Sequence, residues 1–210
     1  MKKNKFLYVI SLILLVLLSS CSSAYETFNF NDVPDDHWAK VDIEFAVRRD
    51  LIRFTTRKEF FPDKYFTREE AARALSMLSG VGTGHIGYGY DNVLNYNNAM
   101  PFLELSVGTG VVREPQDKTL DRDDYITREQ MAVMMMNCAG YLNKGPQGAW
   151  MIRLDFEDLE DISDWAFESV AFCYLKEIIL PKDGNIFDPK GLVTRAEAAH
   201  LLHRFSIVFL

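Results

Sequence analysis

A five-residue phrase occurs three times in this 210-residue chain and limits what it can fold into. It reads Phe66-Thr67-Arg68-Glu69-Glu70, then Ile126-Thr127-Arg128-Glu129-Gln130, then Val193-Thr194-Arg195-Ala196-Glu197. The copies lie 60 and 67 residues apart. Upstream residues keep the phase. From Trp38 onward an offset of 127 pairs Trp38 with Trp165, Ile43 with Val170, Leu51-Ile52 with Ile178-Ile179, Phe60 with Phe187 and Pro62 with Pro189. An offset of 60 pairs Val33 with Val93, Ile43 with Leu103 and Phe60 with Leu120. The middle copy has diverged most: Asn92 replaces an aspartate, Asn98 a tryptophan and Arg122 a proline. A unit this short cannot bury an apolar face by itself, so three tandem units are expected to share one core.

Each copy predicts helix, loop, helix, and the fold class is mainly α. In the first helix of copy one, Trp38, Val41, Phe45 and Leu51-Ile52 are expected to supply the apolar stripe. Thr67 with Glu70, Thr127 with Gln130 and Thr194 with Glu197 are capping boxes that open the second helices. Behind each cap runs an i, i+4, i+7 apolar face: Ala71, Leu75, Leu78; Met131, Met135, Cys138; Ala198, Leu202, Phe205. The expected organisation is a leader at 1–20, a short tether at 21–29, and repeats at 30–80, 92–142 and 155–210. Spacers fill 81–91 and 143–154. The first spacer is rich in glycine and tyrosine, but no lysine-serine or lysine-threonine pair follows it, so it is not a phosphate loop.

The N-terminus reads as a targeting signal. Lys2, Lys3 and Lys5 precede an apolar run of 13 residues, Phe6 to Leu18, which is short for a membrane span and suits a signal peptide. Leu18-Ser19-Ser20-Cys21 resembles the bacterial lipobox, and this implies lipid on Cys21 as the mature N-terminus. Acyl chains contribute about 0.8 kcal/mol per buried CH₂, and several of them give stable anchoring. Removing the leader removes three lysines and takes the net charge from −7 to −10. Such an acidic chain is a poor ligand for nucleic acid or an anionic membrane surface. Cys138 and Cys173 lie in apolar helical stretches without metal-ligand spacing and are expected to be free core thiols.

The full pattern is F-x-D-[VL], a tryptophan-alanine helix, an aliphatic pair, F-x-P and [IVF]-T-R-x-[EQ]. It resembles the S-layer homology domain from Phe30 to about Phe209. The resemblance implies a pseudo-threefold helical bundle with ligand grooves between repeats. It also implies binding of bacterial cell-wall polysaccharide, in many members a polymer with pyruvylated sugars. On this likeness the expected ligand residues are Arg68, Arg128 and Arg195, with Trp38, Trp165, Asp32 and Asp158. The arginines stand at the first helical position, where the macrodipole disfavours a cation. A guanidinium beside free helix-start amides would trap a carboxylate, whereas the alternative is a salt bridge to a neighbouring repeat, from Asp32 or Asp158. Trp38 and Trp165 either stack on sugar or pack in the core, the core being favoured by their place on the stripe. Many family members carry glycines in a G-I-x-x-G pattern after the first helix. Here the segments begin Asp50-Leu51-Ile52, Gly110-Val111-Val112 and Glu177-Ile178-Ile179, so some grooves are expected to be altered.

Three function classes follow. The first is a non-enzymatic, lipid-anchored module that holds cell-wall polysaccharide. The second is an envelope protein-protein scaffold whose glycan sites have decayed. The third is an extracytoplasmic enzyme, which needs an acid/base pair or a nucleophile in a cleft. Asp121, Asp123 and Asp124 read as a solvated loop cluster. His37, His85, His200 and His203 show no metal spacing, and no metal or cofactor is expected. From Cys21 to Phe30 the tether spans at most about 30 Å, which keeps the domain close to its membrane.

Overall fold

The computed structural model describes residues 28–54, 56, 58–80, 124–148 and 152–210. The leader, Cys21 and the first helix expected for the middle copy lie outside these. The described residues form five α-helices: α1 (Lys40–Arg48), α2 (Arg68–Ser79), α3 (Arg128–Tyr141), α4 (Asp164–Leu175) and α5 (Arg195–Phe209). The chain is mainly α, as expected.

Helices α2, α3 and α5 start where the repeated phrase predicts. In each, the threonine hydroxyl accepts the N3 amide, and the N3 side chain accepts the threonine amide. These caps satisfy two of the donors that every helix start leaves over. The expected apolar faces behind them are buried.

The three starts are tied to one another by backbone bonds. Phe66 N–H donates to Val193 C=O at 2.8 Å, Val193 N–H to Ile126 C=O at 3.0 Å, and Ile126 N–H to Phe66 C=O at 3.0 Å. The ring closes on itself, and it gives the bundle its pseudo-threefold axis. Around it, Arg68 N–H donates to Asp124 C=O, Arg128 N–H to Gly191 C=O and Arg195 N–H to Lys64 C=O, all at 2.9 Å. Three copies of one phrase thus satisfy each other's helix-start amides, and no copy could do so alone.

One core runs through the whole assembly, from Phe30 and Val33 to Leu202 and Phe205. Helix α1 packs on α5, α4 on α3, and α2 on both α3 and α5. The stripe expected for α1 is corrected in part: Leu51 and Ile52 are buried and Phe45 packs against the core, as expected. Trp38 and Val41 are exposed, while Ala39, Ile43, Ala46 and Val47 are buried. The reason is size: Ala39 and Ala46 let α1 approach α5 closely, and an indole at the contact would hold the helices apart. In α4 the equivalent residues Ala166, Val170 and Cys173 are buried, and Trp165 is again outside. Cys138 and Cys173 are free and buried. Burial pushes the Cys138 thiol up to about 12 and moves Cys173 the same way.

Candidate functional site

The expected ligand residues fall into a buried pair, Arg128 and Arg195, an exposed pair, Trp38 and Trp165, and three half-buried residues, Arg68, Asp32 and Asp158. Arg128 and Arg195 are only 5% and 6% exposed. Arg195 Nε donates to Phe60 C=O at 3.0 Å, Nη2 to Arg53 C=O at 2.6 Å, and Nη1 to Glu70 Oε1 at 2.8 Å. Its guanidinium lies over the Phe60 ring, 4.8 Å from the centroid. Arg128 repeats this one seam away: Nε to Phe187 C=O at 2.7 Å, Nη2 to Leu180 C=O at 3.0 Å, and the Phe187 ring at 5.2 Å. Arg68 is half-buried, and its amide is held by Asp124.

The helix-start amides are therefore not free for a ligand carboxylate. The N1 amides of all three arginines, and the N2 amides of Glu129 and Ala196, donate to carbonyls of the loop that leads into a neighbouring capped helix. The cost of a cation at a helix start is offset by carbonyls that need a donor.

Asp32 and Asp158 are not the arginines' partners. Asp32 accepts the amides of Phe60 at 2.9 Å and Phe61 at 2.6 Å; Asp158 accepts those of Phe187 at 2.8 Å and Asp188 at 2.6 Å. Phe60 and Phe187 are thus pinned twice, by aspartate at N–H and by arginine at C=O. This fixes the loop that walls each seam.

The two seams differ in charge. At one, Glu70 closes its capping box through Oε2 and pairs with Arg195 through Oε1. At the other, Glu197 closes its box, and its second oxygen lies 3.8 Å from Lys182. Among the described residues Arg128 has no carboxylate within ion-pair distance. Burial pulls its guanidinium below the usual arginine range, and Glu197, Asp188 and Asp158 oppose that from farther off.

Trp38 is 62% exposed and Trp165 48% exposed, so both indoles stand outside the core that the stripe had assigned to them. Trp38 sits between His37, stacked at 5.9 Å, and His200, edge-on at 5.9 Å. Two polar clusters escaped the sequence. Asp42 accepts from His200 Nδ1 at 2.9 Å and from His203 Nδ1 at 2.6 Å. Buried Glu129 receives Ser163 N–H at 3.0 Å, Ser163 Oγ at 3.2 Å and the Lys190 ammonium. The i, i+3 spacing of His200 and His203 was visible, but Asp42 lies 158 residues away and gave no local sign.

Among the described residues no group of three or more His, Cys, Asp or Glu side chains is arranged to hold a metal ion. None of their helices is long and apolar enough to cross a membrane.

Comparison with known proteins places residues 29–72 and 155–199 in the S-layer homology domain. An exoglucanase, XynX, of Acetivibrio thermocellus is 32% identical over 184 residues, which is 85% of this chain and 16% of that protein. An amylopullulanase of Thermoanaerobacterium thermosulfurigenes is 31% identical over 180 residues, 83% of this chain and 9% of that protein. The S-layer protein sap of Bacillus anthracis is 27% identical over 198 residues, 89% of this chain and 22% of that protein. The chain spans less than a quarter of the length of each.

Proposed function

We propose that this chain, an S-layer homology domain protein over 29–72 and 155–199, holds cell-wall polysaccharide as a lipid-anchored, non-catalytic envelope module. In this reading the middle segment, 92–142, is a third repeat. Its capped helix α3 takes the third place in the backbone ring. Proteins named for different activities share this stretch over a small part of their length, which supports an attachment role.

The observation that carries the reading is the pair of indoles. Trp38 and Trp165 occupy equivalent positions and both face solvent, while the alanines beside them fill the core. A flat, exposed aromatic face suits the apolar face of a pyranose ring. Arg128 is the cation best placed for an anionic substituent, such as a pyruvyl carboxylate, because no carboxylate of the described residues lies within ion-pair distance of it. Arg195 is occupied by Glu70, and it holds the seam loop together with Asp32 on the same phenylalanine. Cys21 carries the lipid, and the tether keeps the module at the membrane.

The scaffold reading is favoured by one observation. Asp50 and Glu177 occupy left-handed positions, each at φ 54°, where the family pattern has glycine. Their side chains stand where bare backbone would otherwise face a ligand. Cosedimentation with purified walls, with and without their secondary polymer, decides between the two. Polysaccharide binding predicts a preference for unstripped walls and a loss of about tenfold in Trp38→Ala or Trp165→Ala. Binding that ignores stripping makes the chain a protein scaffold. Fractionation of Cys21→Ala tests the anchor: the variant should leave the membrane or remain unprocessed.

A further inference from the structure

The two tryptophans are equivalent in register but not in surroundings. Helices α1 and α5 meet at the seam between the first and last S-layer homology regions. There Asp42 bridges His200 and His203, Trp38 lies edge-on to His200, and Phe45 stacks on His203 at 4.1 Å. Where α4 packs on α3, register puts Ser169 in place of Asp42, and Val133 and Met136 in place of the histidines. That seam has no histidine pair at these positions; its own polar cluster is Glu129 with Ser163 and Lys190, at the starts of α3 and α4.

The hydrogen-bond roles follow from the partners. An ionised carboxylate only accepts, so Nδ1 of both histidines carries the hydrogen. In a neutral imidazole Nε2 is then an acceptor with a free lone pair. His203 is covered by Phe45, and its side chain is 22% exposed, against 40% for His200. His200 is thus the ring that can offer Nε2 to a molecule resting on Trp38. Asp42 fixes its tautomer and its orientation, as carboxylates do for functional histidines elsewhere.

We propose that Trp38, His200 and Asp42 form a sugar subsite at the α1–α5 seam. The Trp38 face supports a pyranose ring, His200 Nε2 accepts a hydrogen bond from an adjacent hydroxyl, and Asp42 is the positioning residue. The Trp165 platform lacks this histidine acceptor. The subsite rests on the polysaccharide-binding function proposed above.

The test uses the mature chain and bacterial sacculi that retain covalently linked polysaccharide, alongside sacculi stripped with hydrofluoric acid. Binding is measured per folded molecule, with folding followed by circular dichroism. His200→Asn keeps a donor near the Nδ1 position for Asp42 and removes Nε2; it should bind unstripped sacculi about 5- to 10-fold more weakly. His200→Gln keeps a polar group near the Nε2 position and should retain more affinity than the Asn variant. Trp38→Ala combined with His200→Asn should lose less than the product of the single losses, since both act on one sugar. Should His200→Asn fail to fold, Asp42→Asn becomes the deciding variant, with an expected loss of two- to threefold. Wild-type affinity in the folded histidine variant, or in Asp42→Asn where that one decides, overturns the subsite while leaving the Trp38 platform in place. A wild-type protein that binds stripped and unstripped sacculi equally overturns the polysaccharide function itself, and the subsite with it.

Discussion

At the scale of single residues, Arg195 and Asp42 each hold several partners from other parts of the chain. Arg195 serves the Phe60 and Arg53 carbonyls and Glu70 from a buried position. Truncating it strands these groups, so Arg195→Ala should lower unfolding free energy by about 3 kcal/mol in urea titration. Arg195→Lys should recover little, because one ammonium cannot reach three separate acceptors. Near-wild-type stability in Arg195→Ala would free this residue for a ligand role. Asp42 governs a pH window. Burial alone would raise its carboxyl, but the hydrogen bonds and charge of His200 and His203 outweigh burial and hold it below the ordinary value. Its contribution is therefore full above the ordinary carboxylate value of about 3.9 and is lost as pH falls through the lower folded value. The gap in Tm between wild type and Asp42→Asn should narrow as pH falls below about 3.9. A gap that does not narrow there would mean that the carboxylate is not held below its ordinary value.

At the scale of elements, the turns after α1 and α4 carry a backbone cost that the sequence marks by an absence. Asp50 and Glu177 lie 127 residues apart, and both adopt φ 54°, a conformation that glycine takes without strain. Asp50 is compensated, because its carbonyl and carboxylate both bind Arg73. Glu177 is compensated less: Arg204 binds its carbonyl, which glycine would keep, and meets its exposed carboxylate only at 3.6 Å. Glu177→Gly should thus stabilise the protein by up to about 1 kcal/mol, read as a rise in urea midpoint at unchanged slope. A lower midpoint would mean that the Glu177 carboxylate contributes more than its backbone costs. Elements were legible where their cause is local. The threonine caps and the faces behind them followed from spacing, since an N-cap and its N3 partner are three residues apart. The inner face of α1 did not. Hydropathy favoured Trp38 and Val41, but the close approach of α5 selects Ala39 and Ala46, and α5 lies about 150 residues away. For the same reason the arginines looked available: their carbonyl partners, Phe60 and Arg53 for Arg195, belong to the other end of the chain.

At the scale of the whole molecule, the closure of the backbone ring makes the last segment part of the first. Val193 C=O receives Phe66 N–H, Arg195 holds the loop at Phe60, and His200 and His203 anchor α1 through Asp42. Residues 28–80 therefore meet α5 along their main interface, with α3 as a second neighbour of α2. Deleting residues 143–210 removes α4 and α5 together. It exposes the α1 face formed by Ala39, Ile43 and Ala46, leaves Phe66 N–H without its acceptor, and uncovers the inner side of α3, including Met131 and Met135. What remains of the core is too small to offset the conformational entropy of ordering the rest. The fragment 21–142 should keep part of its far-ultraviolet helical signal, bind a hydrophobic dye, and melt without a cooperative transition. Adding the separate segment 143–210 in trans should restore a sharp transition whose midpoint rises with concentration, because the seam contacts join the two pieces without a covalent link. A sharp, concentration-independent transition in the fragment alone would make the units autonomous. The ring of three backbone bonds would then follow from docking of folded units instead of being a condition for folding.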